Sequence, residues 1–378
     1  MDFSPPRLSI GIAGAGVLGR LLAWQLGRAG HAVTVCDPAD GPAPRQDGQG
    51  PAGFTAAGML SPLAELDNAS AEVALLGWQS MARWRVVAQQ LVQDGASPVT
   101  DGSAALFRQR GSLMVAHGAD LGAAQRVLAR LEGALDLSAA MPRPQTLTRP
   151  ELLDLEPMLE PQLRAWLLPG EGQVLPAPML AALAGGAPQV DWRWRTPVAA
   201  VEPGRLVLAD GSVHGFDLAI DVRGLGARPA LPLRGVRGEL VWLHAPGVRL
   251  ARPVRLLHPR HRVYIVPRPG DVVVIGASEI ESEDRSGVSL RSGVELMAAA
   301  HSVIPALAEA RICHLETNLR PALPDNEPRI DAEPGLLRIN GLFRHGWLLA
   351  PALAARALAA AGLADPLAPL LAASAPPA

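Results

Sequence analysis

The 378-residue chain contains no lysine, so all 34 of its basic residues are arginine. A pyridoxal phosphate enzyme needs a lysine for its Schiff base and a Walker A loop needs one for its phosphates, which sets both classes aside. The arginines form no block and the formal net charge is only -2. The chain therefore lacks the electrostatic footprint that nucleic acid binding requires. The two cysteines, Cys36 and Cys313, lie far apart without CxxC spacing; they argue against a zinc site, a dithiol or a disulfide framework and read as buried apolar residues. The nine histidines show no HxxxH pairing, and no metal is expected. Long uncharged apolar runs are also missing. Arg356 breaks the best candidate, GWLLAPALAARALAAAGLA, so no membrane span is predicted. The N-terminal MDFSPPRLSIGIAGAGVLGR starts like a secretion signal, but its glycines, its lack of an AxA-like cleavage site and Arg20 within the run predict a cytoplasmic protein.

What the chain has is length and apolar content. Its 378 residues exceed one ordinary core, and 49% of them are hydrophobic, which predicts a globular protein of two domains.

The most informative stretch is GIAGAGVLGRLLAWQLGRAGHAVTVCDPAD, from Gly11 to Asp40. RLSIGIAG reads as a short buried parallel strand. Val17, Leu18, Leu21, Leu22 and Leu26 then recur at helical spacing, Gly30 ends the helix, and HAVTVCD supplies a second strand closing on Asp37. This strand, loop, helix, strand order is the context in which GxGxxG binds a dinucleotide. Gly14 serves the tight turn, Gly16 lets a pyrophosphate approach the backbone, and Gly19 lets helix and strand pack closely. Unpaired N–H groups at the helix start favour the phosphate, and Asp37 is placed to accept from a ribose. The loop alone does not choose between NAD and FAD. AGFTAAGMLSP, residues 52–62, suits backbone contact with a flat ligand and equally a helix start packed in the core.

Five segments in order resemble the D-amino acid oxidase family of flavoproteins, and within it the glycine oxidase branch. They are GAGVLG with Asp37; FTAAGMLSP; FDLAIDVRGLG followed by LRGVRGEL; VYIVPRPGDVVVIGASE; and LRPALPDNEPRI running into NGLFRHGWLLAPALA. The resemblance implies an α/β fold with an α+β second domain. A discontinuous Rossmann-like FAD-binding domain (1–90, 160–228 and 319–378) would join an antiparallel-sheet substrate domain (91–159 and 229–318). It also implies FAD as cofactor, held by the backbone at Val17 and Leu18, by Asp37 and Pro38 at the ribose, by Ala57, Gly58 and Met59 along its length, and by Val198 at the adenine. Leu342, Phe343, Arg344, His345, Gly346, Trp347 and Leu348 would run beneath the flavin ring. Independently, glycine before a helical apolar pattern in RHGWLLAPALAARALAA places a helix start there that could stabilise negative charge.

By the same resemblance Arg320 in NLRPALPD contacts the substrate carboxylate, Tyr264, the single tyrosine, gives it a hydroxyl, and Arg344 contacts substrate or flavin. A guanidinium suits that task because its paired donors match a carboxylate and its charge is permanent. The implied activity is oxidation of glycine or a similar small amino acid, with dioxygen reoxidising the flavin to give hydrogen peroxide and the imino acid feeding thiamine thiazole assembly. An amino acid dehydrogenase with another acceptor, or a non-catalytic FAD-binding protein, are the alternatives. Small amino acids and dioxygen are the expected partners, and the oligomeric state, homo-oligomer included, is left open. Three positions depart from the family pattern: Arg223 in DVRGLG, near a flavin-side turn, Leu342 in place of a histidine, and His345 in place of an asparagine. The Ala/Pro-rich tail after Asp365 is expected to fray.

Overall fold

The computed structural model describes residues 7–45, 47–97, 105–135, 141–259 and 262–374. The glycine-rich unit forms as its pattern predicts: strand Ser9–Ala13, helix Val17–Arg28 and strand Ala32–Cys36. The helix is buried from Val17 to Gly27, and that includes Arg20, only 1% exposed. Arg20 does not interrupt the apolar run, as the sequence suggested. Its guanidinium donates to the carbonyls of Ala15 (2.8 Å) and Leu180 (3.0 Å) and stacks over Phe54 and Trp194. Burial draws its pKa down to about 10 against the opposing field of Asp37.

Six strands form the first sheet, in the order Arg329–Glu333, Leu336–Asn340, Leu218–Asp221, Ser9–Ala13, Ala32–Cys36 and Asp191–Arg193. All its pairs are parallel except the edge pair Arg329–Glu333 with Leu336–Asn340. Its central strands are correspondingly apolar on both faces, with Ile10, Ile12 and Ile220 fully buried. Helix Gly346–Ala360 packs against it through Leu349, Ala350 and Leu353. Ala368–Ser374 forms a further short helix, which corrects the expected fraying over those residues; 375–378 lie outside the described residues.

Eight strands form the second sheet, in the order Arg311–Ala322, Arg234–His244, Val272–Gly276, Arg262–Arg268, Val254–Leu257, Ser112–Ala116, Arg164–Leu168 and Gln145–Leu147. Val254–Leu257 with Ser112–Ala116 is its one parallel pair, and the rest are antiparallel. Helix Leu290–Val303, capped by the Ser289 hydroxyl accepting from the Ser292 N–H (3.2 Å), covers one face through Leu296, Ala300 and Val303. Such a cap stabilises a helix start by about 1 kcal/mol. The strand Arg164–Leu168 falls in the 160–228 segment expected to return to the nucleotide domain, yet pairs in this second sheet. Cys36 is buried, as expected, but Cys313 on the edge strand is exposed, because the first half of that strand, Arg311–Leu315, has little packed over it. No helix among the described residues is long and apolar enough to cross a membrane.

Candidate active site

A cavity of about 1120 Å³ runs from the glycine-rich turn to the second sheet and is walled by both. At its first end Gly14 adopts φ +103°, a conformation that side chains oppose, and a Cβ on Gly19 would lie 1.8 Å from the Gly14 carbonyl oxygen. Gly16 is different, because the nearest atom to a Cβ there is 3.8 Å away and the space opens into the cavity. The helix begins at Gly16 with no side-chain cap and no acid in its first turn. Its free N–H groups thus face the cavity with an uncompensated positive field. Asp37 also lines the cavity, and each of its oxygens already accepts a backbone N–H, from Ala15 (2.6 Å) and Ala39 (2.8 Å). The acid therefore braces the turn as well as facing the ligand space.

At the other end the second sheet brings two polar side chains over two glycines. Arg320 lies across Gly238, where a Cβ would meet its guanidinium at 2.3 Å, and Tyr264 lies across Gly276, where a Cβ would meet its hydroxyl at 2.6 Å. Glycine inside a strand marks such close approach, and these two create the space the side chains occupy. Arg320 donates only to carbonyls, of Ser278 (3.0 Å) and Arg237 (3.4 Å), and forms no ion pair with a carboxylate among the described residues. Burial lowers its pKa from the ordinary value, Tyr264 and, more weakly, Glu279 opposing and Arg344 assisting. Burial raises the Tyr264 pKa, opposed by Arg320, Arg344 and Arg255.

Arg344 keeps opposite company. It pairs with Glu65 (3.2 Å) and Glu279 (3.2 Å), and Glu65 above all holds its pKa up. Glu65 is the hub, bonding Arg255 (2.7 Å) and His345 Nε2 (3.0 Å) as well. Burial works against its ionisation, but Arg344, Arg255 and the His345 bond outweigh that and hold the carboxyl well below the usual range. Glu171, fully buried, fixes the turn that carries Glu65 by accepting the N–H groups of Leu63 (2.8 Å) and Ala64 (3.2 Å) and the Ser112 hydroxyl. Burial pushes Glu171 up to about 7 despite those bonds.

Gly14, Gly16, Val17, Leu18, Asp37, Pro38, Ala57, Gly58, Met59, Val198, Tyr264, Arg320, Leu342, Phe343, Arg344, Gly346, Trp347 and Leu348 all line this one cavity. Gly19 does not, since it is consumed in packing against the turn. His345 also lies off the cavity wall, because its ring turns inward to Glu65. Arg223 also lines this cavity. It pairs with Asp221 (2.8 Å) and donates to the carbonyls of Val198 and Ala199, beside the Gly14 turn. Sequence reading missed Glu65, Arg255 and Glu279, which no local motif marks; Gly238 and Gly276 were readable as glycines interrupting strand patterns.

The family model for FAD dependent oxidoreductases matches residues 9–361. The chain belongs to this family. Among curated relatives it is 37% identical over 345 residues to a Rhizobium etli protein provisionally named thiamine biosynthesis oxidoreductase ThiO, covering 91% of this chain and 93% of that one. It is 28% identical over 373 residues to glycine oxidase of Geobacillus kaustophilus, covering 91% and 90%. The crystal structure of that glycine oxidase superposes with a TM-score of 0.76 at 26% identity, over 96% of this chain and 97% of the other. Iminodiacetate oxidase from Chelativorans shares the fold, with a TM-score of 0.77 at 23% identity over 95% and 98%. FAD is thus the cofactor, and the residues present fit it: a glycine-held turn and an uncapped helix start suit a pyrophosphate, in a cavity long enough to continue to the second sheet.

Proposed function

We propose that the chain oxidises glycine or a similarly small amino acid at its α-carbon. The observation that carries this reading is Arg320, a half-buried guanidinium that faces the cavity without an ion-paired carboxylate among the described residues. Such a group has donors to offer a substrate carboxylate, and a charge-assisted pair formed away from water is strong and directional. Tyr264 adds a hydroxyl beside it, kept protonated by burial. Together they would fix the carboxylate and so the direction of the neighbouring C–H bond, with Phe343 and Leu240 on the same wall excluding water. Bound FAD supplies the two-electron acceptor for hydride from the α-carbon, with dioxygen regenerating it and releasing hydrogen peroxide. Val17, Leu18 and Gly16 would hold its pyrophosphate, and Ala57, Gly58, Met59 and residues 342–348 its remaining length. The kinship with the Rhizobium etli protein supports a role for the imino acid in thiamine thiazole assembly. The division between nucleotide and substrate parts is proposed to follow the two large sheets, with Arg164–Leu168 belonging to the substrate side.

Arg320→Ala tests the reading. It should lower kcat/KM for glycine by roughly a hundredfold, as expected when a charged hydrogen-bonding partner is lost, while FAD stays bound. Unchanged efficiency would refute the assignment. Peroxide release measured with glycine, sarcosine and D-alanine, against reduction of an artificial dye, separates oxidase from dehydrogenase.

A further inference from the structure

We propose that Glu279 determines the specificity of this site by closing Arg344 to substrate, so that an amine carrying a second carboxylate is rejected. The proposal rests on the reading of Arg320 as the carboxylate anchor. The guanidinium groups of Arg320, Arg344, Arg255 and Arg268 and the Glu65 carboxylate all act on Tyr264, and Glu279 joins this group through its ion pair with Arg344. On the cavity wall Arg320 makes no ion pair among the described residues, whereas Glu65 and Glu279 both bind Arg344 and Glu65 also binds Arg255. A single substrate carboxylate therefore has Arg320 to pair with, and Arg344 is already taken.

The two acids differ in what holds them. Glu65 is buried at the hub, whereas the Glu279 side chain is 47% exposed, pairs with Arg344 and stands on the cavity wall. A second carboxylate entering this space meets Glu279 as a like charge and finds the outward nitrogen of Arg344 occupied. Rejection by an unfavourable group is a recognised source of specificity. Removing the charge of Glu279 frees one edge of Arg344 while Glu65 keeps its other edge in place.

The test uses the FAD-loaded full chain and two ligands that differ only in a second carboxylate, methoxyacetate and oxydiacetate. Their binding is followed by perturbation of the flavin absorbance in the wild type, Glu279→Gln and Arg320→Ala. The wild type should bind methoxyacetate in preference, and in Glu279→Gln the affinity ratio should move toward oxydiacetate by about tenfold or more, the scale of one additional charge-assisted hydrogen bond. Relative turnover of iminodiacetate and glycine should move the same way. An unchanged ratio, or wild-type protein that binds oxydiacetate as tightly as methoxyacetate, overturns the role of Glu279 and leaves Arg320 as anchor. Methoxyacetate binding that is equal in the wild type and Arg320→Ala, or absent from both, overturns the anchor and this proposal with it.

Discussion

At the glycine-rich end of the cavity the polar groups are backbone N–H groups supplied by one continuous unit, residues 9–37, whereas at the other end they are side chains drawn from positions 65, 255, 264, 279, 320 and 344. The first end recognises by shape and by the field of a helix start, and its specification is steric: a turn only glycine adopts and a close approach only glycine allows. The second recognises by charge, and its specification is a balance among groups far apart in the chain. The contrast extends to two arginines of the same cavity, Arg320 without an ion pair among the described residues and Arg344 with two. Residue type alone says little about which of them is open to a ligand. The neighbours decide it.

The largest effect should come from the hub of the charged end. Glu65→Gln leaves Arg255 and Arg344 without their shared acid, and breaking a buried pair in this way costs about 4 kcal/mol. Chemical denaturation should show that loss, and a loss below about 1 kcal/mol, the scale of an exposed pair, would mean the charged end is not held together by Glu65. At the other end Gly19→Ala forces a methyl onto the Gly14 carbonyl, an overpacking expected to cost roughly 3 kcal/mol. It should also lower the ratio of flavin to protein absorbance after purification. Full FAD occupancy in that variant would show that the turn has more freedom than its close packing suggests.

The smallest of these effects is a pH dependence from Glu171, whose folded pKa of about 7 lies above the ordinary 4.5. A carboxyl raised on folding contributes stability that is fully present below pH 4.5 and is lost as pH rises through 7. Relative to Glu171→Gln, the wild type should therefore lose at most about 3 kcal/mol between these limits and little beyond. Parallel stability curves for the two proteins across that interval would show that Glu171 does not titrate there.

The same contrast explains how much can be read from the sequence. GxGxxG, the helical spacing from Val17 to Leu26 and the closing acid lie side by side, so the first end is legible from its residues and its strand, helix, strand order is the one observed. The parallel sheet beyond it depends on strands 191–193, 218–221 and 336–340 returning from far along the chain, which only the family resemblance supplies. At the charged end motif matching reaches Arg320, Tyr264 and Arg344 but not their partners. Glu65 sits in SPLAELD and Glu279 in GASEIE, where each reads as an ordinary surface acid until the second sheet brings it to the arginines. His345 departs from its expected place for the same reason, since its chain position puts it beside the cavity and its bond to Glu65 turns the ring away.

The first sheet alternates early and late segments, with Leu218–Asp221 and Leu336–Asn340 following Ser9–Ala13 across it. During synthesis, then, the initial strand has both of its neighbours once residue 221 has left the ribosome, but Leu218–Asp221 gains its second partner only after residue 340. A cavity walled by residues from Gly14 to Leu348 is accordingly complete only once nearly the whole polypeptide has been assembled around it.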